Sequence, residues 1–169
     1  MGTLPSYLPV ASERSVDFET FFRSEATALA RSLYLLTGDR AEAEDLVQEA
    51  MARAFARWDR VQHMDSPAGY VYKAALNLFR RRLRRAALRP LFAASAPRDP
   101  AEVAGARSDL LRALQSLSRQ QREAIVLVEW LGFDSEEAGR VLGIRPSSVR
   151  TRLQRAKIAL RTQLGGIDV

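Results

Sequence analysis

The chain has 169 residues, 47% of them apolar, with no cysteine and one histidine, His63. That length holds one ordinary domain or two small ones, and the composition excludes disulfides, thiolate metal sites, cysteine nucleophiles and histidine metal clusters. Basic residues number 26 against 20 acidic, a net charge of +6, and all but Lys73 and Lys157 are arginine, which suits a polyanionic partner.

The opening residues, MGTLPSYLPVASERS, lack the basic-then-apolar order of a secretory leader, and nowhere do about 18 apolar residues run uninterrupted. A soluble, cytoplasmic chain without a membrane partner is expected. Charge alternates along it. Residues 13–59 carry 6 basic and 10 acidic side chains, 60–98 carry 9 and 1, 99–137 carry 4 and 8, and 138–169 carry 7 and 1. Two halves thus follow one another, each acidic first and basic after.

Apolar positions recur at three and four throughout, the helical period. Phe18, Phe21, Phe22, Leu29, Leu33 and Leu36 mark a first helix that Gly38 ends. Asp39 with Glu42 forms a capping-box pattern for a second, whose apolar face is Leu46, Val47, Ala50, Met51, Ala54, Phe55 and Trp58. After a short polar stretch, Ser66-Pro67 opens a third helix reaching to about residue 86. The segment 87–106, rich in Ala and Pro, reads as a linker. Beyond it, Ser118 with Gln121 caps a helix that stops at Gly132; its IVLVEWL run (125–131) would also suit a buried strand, but its cap and neighbours favour helix. Asp134 with Glu137 caps the next, ending near Gly143, and Pro146 opens the last. The prediction is an all-α fold of two small helical domains, 15–86 and 107–164, joined by a flexible linker over 87–106. The second domain contains a helix-turn-helix.

On a helical wheel the third helix is sharply divided. Val71, Tyr72, Ala75, Leu76, Leu78, Phe79 and Leu83 share the packing face, while Lys73, Asn77, Arg80, Arg81 and Arg84 form a basic stripe on the other. A solvated face would intersperse acids for i,i+4 pairs. RRRLRR (80–85) has none, so its arginines repel one another unless an anion such as a phosphate backbone is bound. In the last helix Val149, Leu153, Ala156 and Leu160 make a narrow core seam. Ser147, Ser148, Arg150, Thr151, Gln154 and Arg155 point away from it in the first turns, where a recognition helix presents side chains to the major groove. Arg152 lies on the flank, suited to phosphate. On the second helix Asp45, Gln48 and Glu49 share one exposed face at i, i+3 and i+4, fitted to a basic partner.

Three stretches, LTGDRAEAEDLVQEAMARAFARWDRV (36–61), SPAGYVYKAALNLFRRRLRR (66–85) and LQSLSRQQREAIVLVEWLGFDSEEAGRVLGIRPSSVRTRLQRAK (114–157), in this order and spacing resemble the extracytoplasmic-function (ECF) group of bacterial sigma factors. The resemblance implies that Asp45, Gln48 and Glu49 bind the clamp of core RNA polymerase. It further implies that Asn77, with Lys73, Arg80, Arg81 and Arg84, reads and melts the minus-ten element of promoter DNA, and that the loop 61–66, with His63 and Met64, captures a flipped base. The row from Ser147 to Arg155, Arg152 included, would read the minus-thirty-five element. An anti-sigma factor is a further partner that the family often has.

This chain departs from the family pattern where Val61 replaces a common aromatic residue, Tyr70 a common Trp, and Ala138-Gly139 a bulkier apolar residue followed by Ala. A mid-helix glycine costs about 1 kcal/mol, so the helix-turn-helix is expected to be weakened there. The chain is expected to hold only the two minimal sigma domains. The whole reads as a non-catalytic transcription initiation factor with no cofactor, metal or small-molecule substrate. A stand-alone helix-turn-helix regulator that dimerises on duplex DNA and an adaptor that binds proteins or RNA are the alternatives. The first leaves the acidic patch and the Asn77 stripe unexplained.

Overall fold

The computed structural model describes residues 11–87 and 106–164, so the expected linker lies almost wholly outside the described residues. Among the described residues every regular element is helical. No helix there is long and apolar enough to cross a membrane.

Helix α1 (Ala11–Thr37) ends where Gly38 turns to φ +75° and its N–H bonds to the Tyr34 carbonyl at 2.8 Å. Asp39 then caps α2 (Arg40–Phe55), its carboxylate accepting the Glu42 N–H at 3.1 Å. Helix α2 buries Ala43, Leu46, Val47, Ala50, Met51 and Ala54, and it stops earlier than its pattern predicts. The backbone changes direction at Arg57 (φ −129°), and Trp58 opens a separate turn, α3 (Trp58–Val61). That break tucks Trp58 against Phe18 and Phe21, with ring centroids 5.2 and 4.9 Å away. It also leaves Phe55, expected on the buried face, 56% exposed over Phe18.

Ser66 opens α4 (Pro67–Ala87) by accepting the Gly69 N–H at 3.0 Å. The packing face is as expected through Phe79, but burial stops there, and Leu83 in the following turn is 37% exposed. In the second half, α5 (Ala106–Ser116) leads to a reciprocal capping box: Ser118 accepts the Gln121 N–H, and the Gln121 side chain accepts the Ser118 N–H. The box starts α6 (Arg119–Ile125). IVLVEWL is helical rather than a strand, yet its Val126–Trp130 portion is a π turn, closed by Leu131 N–H to Val126 O at 3.1 Å. Gly132 (φ +72°) ends it.

The Asp134 carboxylate then accepts the Glu136 and Glu137 N–H groups at 2.9 and 2.7 Å, capping α7 (Ser135–Leu142). Gly143 (φ +71°) and Pro146 form the corner into α8 (Pro146–Gln163). Gly139 is not the weak point that its helix propensity suggests. A Cβ at this position would stand 2.8 Å from the Ile144 carbonyl oxygen, so the missing side chain is what lets the turn fold back on α7. Of the α8 seam, Val149, Ala156 and Leu160 are buried, whereas Leu153 is half-buried.

The two halves pack on each other and share one apolar core running from Leu29 to Leu160. Tyr72 of α4 meets Phe133 edge to face at 5.5 Å, a favoured aromatic geometry. Burial there pushes the Tyr72 phenol up to about 12. The end of α1 shows why the halves meet at this seam. A helix leaves its last carbonyls without intrahelical donors, and α1 has no basic residue in its last turn. Its Leu35 carbonyl accepts the Gln115 side-chain N–H at 3.0 Å, and its Leu36 carbonyl accepts from Arg122 at 2.8 Å. A guanidinium at a helix C-terminus also meets the negative end of the helix dipole. The second half caps the first.

Candidate polymerase and nucleic-acid interfaces

The acidic face forms as the i, i+3, i+4 spacing predicts, because the opposite side of α2 is filled by core. Asp45 and Gln48 are exposed. Glu49 is half-buried and engaged, accepting from Arg53 at 2.8 Å and Arg82 of α4 at 3.3 Å. Arg82, which the wheel of α4 does not distinguish, therefore joins this face to the basic helix. It also opposes the burial that raises the Glu42 pKa.

On α4, Lys73, Asn77, Arg81 and Arg84 are exposed along one side. Arg80 is not part of that open stripe. Its guanidinium donates to both carboxylate oxygens of Glu123, at 3.1 Å from Nε and 2.6 Å from Nη2, and Glu123 is 1% exposed. These bonds hold the Arg80 pKa above its already high range, with burial opposing. The expectation of a free Arg80 is corrected on this point: the partner is 43 residues away on α6, beyond the reach of a wheel drawn for one helix. Glu123 also has Arg119 at a longer 3.7 Å. Removing one member of such a buried pair strands the other and costs about 3–5 kcal/mol.

The loop between α3 and α4 exposes His63 and half-buries Met64. Val61 closes α3 and is 0% exposed, so the accessible loop begins at Gln62 and Val61 shapes the core instead of a base pocket. Tyr70 is half-buried against the same core. Ser66, at the end of the loop, donates to Glu137 of α7 at 3.0 Å.

On α8 the expected row is present: Ser147, Arg150, Thr151, Gln154 and Arg155 are exposed, and Ser148 and Arg152 are half-buried on its flanks. The Thr151 hydroxyl donates to the Ser147 carbonyl at 3.0 Å, which leaves its lone pairs outward as acceptors. The helix entry is set by backbone bonds from Ser148 and Val149 to the Arg145 carbonyl at 2.9 and 3.2 Å. Lys157 ties the helix to the π turn through Glu129 at 2.8 Å. Arg140 and Arg145, both exposed, line the outer side of the α7–α8 turn. The helical period alone does not single them out, although two arginines bracketing a helix-turn-helix corner are well placed for backbone phosphates.

Comparison with known proteins covers both halves. Residues 13–89 match the family model for Sigma-70 region 2, and residues 107–160 match that for Sigma-70 region 4. The chain is 30% identical over 159 residues to an RNA polymerase sigma-E factor of Streptomyces avermitilis, covering 91% of this chain and 88% of that protein. It is 32% identical over 135 residues to the ECF RNA polymerase sigma factor EcfG of Rhodopseudomonas palustris, covering 76% and 75%. Among solved structures, the sigma factor RpoE in complex with the anti-sigma factor NepR from Bartonella quintana superposes with a TM-score of 0.76 at 27% identity. That match covers 88% of this chain and 97% of that one. CnrH in complex with the cytosolic domain of CnrY gives 0.66 at 25% identity, covering 94% and 96%.

Proposed function

The chain belongs to the ECF group of RNA polymerase sigma factors, and on that premise we propose how its surfaces divide the work of initiation. As a sigma factor it binds core RNA polymerase and directs promoter-specific transcription. The unit 15–86 carries the polymerase contact and the minus-ten reading, and the unit 107–164 carries the minus-thirty-five reading. Asp45 and Gln48 meet the polymerase clamp, with Glu49 exchanging its arginine partners for the clamp's cations. Asn77 reads a base edge through an amide that both donates and accepts, with Lys73, Arg81 and Arg84 neutralising phosphates around it. Arg80 joins them once released from Glu123, and His63 and Met64 border the unstacked base.

The observation that carries the reading is the exposed row on α8. Arg150, Gln154 and Arg155 stand clear of the core directly after a tight corner, with the reach to make bidentate contacts to guanine or adenine edges. The protein works in the cytoplasm, where the polymerase is, and performs no catalysis of its own. An anti-sigma protein is its expected regulator, since the similar sigma factor RpoE was solved in complex with the anti-sigma factor NepR.

Reconstituted transcription tests the reading. Core polymerase with this chain should initiate at a subset of promoters in a genomic template library, and core alone should not. Duplex binding without any polymerase-dependent initiation would instead identify a stand-alone helix-turn-helix regulator.

A further inference from the structure

We propose that Arg82 is an exchangeable internal counter-ion. In the free chain it occupies the polymerase face as a clamp cation would, and it passes to the phosphates of the melted strand once polymerase takes Glu49. The inference rests on the assignment of α2 to the clamp and of α4 to the minus-ten strand, and it adds a residue that serves both.

On α4, Arg82 falls on the side that carries Val71, Ala75 and Leu78, just beyond the point where burial ends at Phe79. Where the next core side chain would stand there is a cation long enough to reach α2. Its Nη2 donates to Glu49 Oε2 at 3.3 Å, while Glu49 Oε1 takes Arg53 at 2.8 Å. Its charge is also felt two turns back along α2. Burial raises the Glu42 pKa, with Asp39 and Asp45 adding to the rise, and Arg82 is the group that opposes it. Arg82 therefore lies along the acid row of α2, and not at one carboxylate alone.

This contact is built to exchange. The two side chains are 34% and 42% exposed, one nitrogen serves one oxygen, and an ion pair so open to water is weak. A partner that covers Glu49 brings its own cation to it, and Arg82 left in place would then face a like charge. Its nearest alternative lies at the end of its own helix. Arg81, Arg84 and Arg85 are exposed there, and RRRLRR holds no acid to balance them. A fourth guanidinium joins that group favourably only when an anion is present, and the melted strand supplies phosphates. Polymerase and strand are thus linked through one side chain. Each ligand strengthens the other by the same factor, since coupling between two binding sites is reciprocal.

A short fluorescent AT-rich single strand, titrated into the full chain alone and into the chain assembled with core polymerase, tests the exchange. In the free chain Arg82→Gln should change strand affinity less than about twofold, because Glu49 already holds the guanidinium. With polymerase bound, the same substitution should weaken the strand about fivefold at low salt and make the salt dependence shallower by about 0.7, the mark of one lost phosphate contact to a single strand. Arg82→Lys, which keeps the charge, should restore both. Glu49→Gln should raise the strand affinity of the free chain about fivefold. It releases Arg53 as well, so Glu49→Gln combined with Arg82→Gln should abolish the gain and assign it to Arg82. Glu44→Gln, an equal charge change on an exposed residue of α2, should shift affinity less than about twofold. No loss for Arg82→Gln in either state, or equal losses in both, overturns the exchange. So does a gain in Glu49→Gln that is no larger than in Glu44→Gln, or one that survives removal of Arg82. Circular dichroism checks the fold of each variant; should Glu49→Gln not fold, Arg82→Gln with and without polymerase decides the matter. The free-chain titrations need no polymerase, so failure to assemble with it would count against the proposed function and leave the hold of Glu49 on Arg82 to be judged separately.

Discussion

Gly139→Ala sets two physical effects against each other, and the structure determines which prevails. Alanine is favoured over glycine inside a helix by about 1 kcal/mol, so on propensity alone the substitution should stabilise α7. The new Cβ, however, would stand 2.8 Å from the Ile144 carbonyl oxygen and 3.5 Å from the Pro146 nitrogen. Both are backbone atoms at the corner of the helix-turn-helix and cannot rotate away as a side-chain tip would. The Gly139 carbonyl also accepts from Gly143 and Ile144 at 2.8 and 3.0 Å, so easing the clash strains the bonds that close the turn. Overpacking of this kind costs about 1–3 kcal/mol, leaving a net loss of about 1 kcal/mol. If the two halves melt together, that lowers Tm by about 2–4 °C. The movement that relieves the clash tilts the start of α8, so affinity for a minus-thirty-five duplex should fall further than the small loss of folded fraction explains. Calorimetry and fluorescence anisotropy at fixed salt measure the two effects. A Tm that rises, with duplex affinity intact, would refute the close-approach argument and restore the simple propensity account.

The remaining expectations concern the three binding faces. Asp45→Arg with Glu49→Arg should keep near-native stability, since partly exposed pairs such as Glu49–Arg53 and Glu49–Arg82 contribute about 0–1 kcal/mol each, yet lose core polymerase in a pull-down because like charges then oppose each other; retained affinity would remove these residues from the clamp contact. Asn77→Ala should spare polymerase binding and impair promoter opening, read by permanganate footprinting, and unaltered melting across varied minus-ten sequences would dismiss its reading role. Arg150→Ala should cost about 1–3 kcal/mol of duplex affinity and relax preference at one base pair, while Arg152→Ala should weaken all sequences alike and lower the salt slope by about 1. Unchanged affinity in Arg150→Ala would mean that α8 docks on another face.

The helix boundaries were legible because each depends on residues close in the chain. Asp39, Ser118 and Asp134 are caps whose partners lie two or three residues on, and Gly38, Gly132 and Gly143 all take the positive φ that a stop requires. The candidate faces of α2 and α8 were legible for the same reason, since their sides follow from the 3.6-residue period alone. What stayed hidden depends on what the rest of the chain brings up. Arg80 looked identical to Arg81 and Arg84 until Glu123 was placed beside it. Phe55 and Leu83 carry the right hydrophobicity for core, but a change of direction at Arg57 and the end of burial at Phe79 leave them outside. The need for Gly139 lies in a carbonyl five residues later. Arg122 reads as an ordinary helical cation, and only the folded end of α1 shows what it caps.

The π turn at Val126–Trp130 has a consequence for register. A regular helix advances about 100° per residue, and a π turn takes up one extra residue, so everything after it faces about 100° away from where an uninterrupted α-helix would point it. Glu129, inside the turn, meets Lys157, and the chain leaves the helix at Gly132 before Phe133 meets Tyr72. The tie between the recognition helix and its support thus depends on where a supernumerary residue places Glu129. Deleting Val128 would make the helix more regular and turn Glu129 away from Lys157. An insertion that costs hydrogen-bond geometry locally is what lets the support hold the recognition helix by an ion pair.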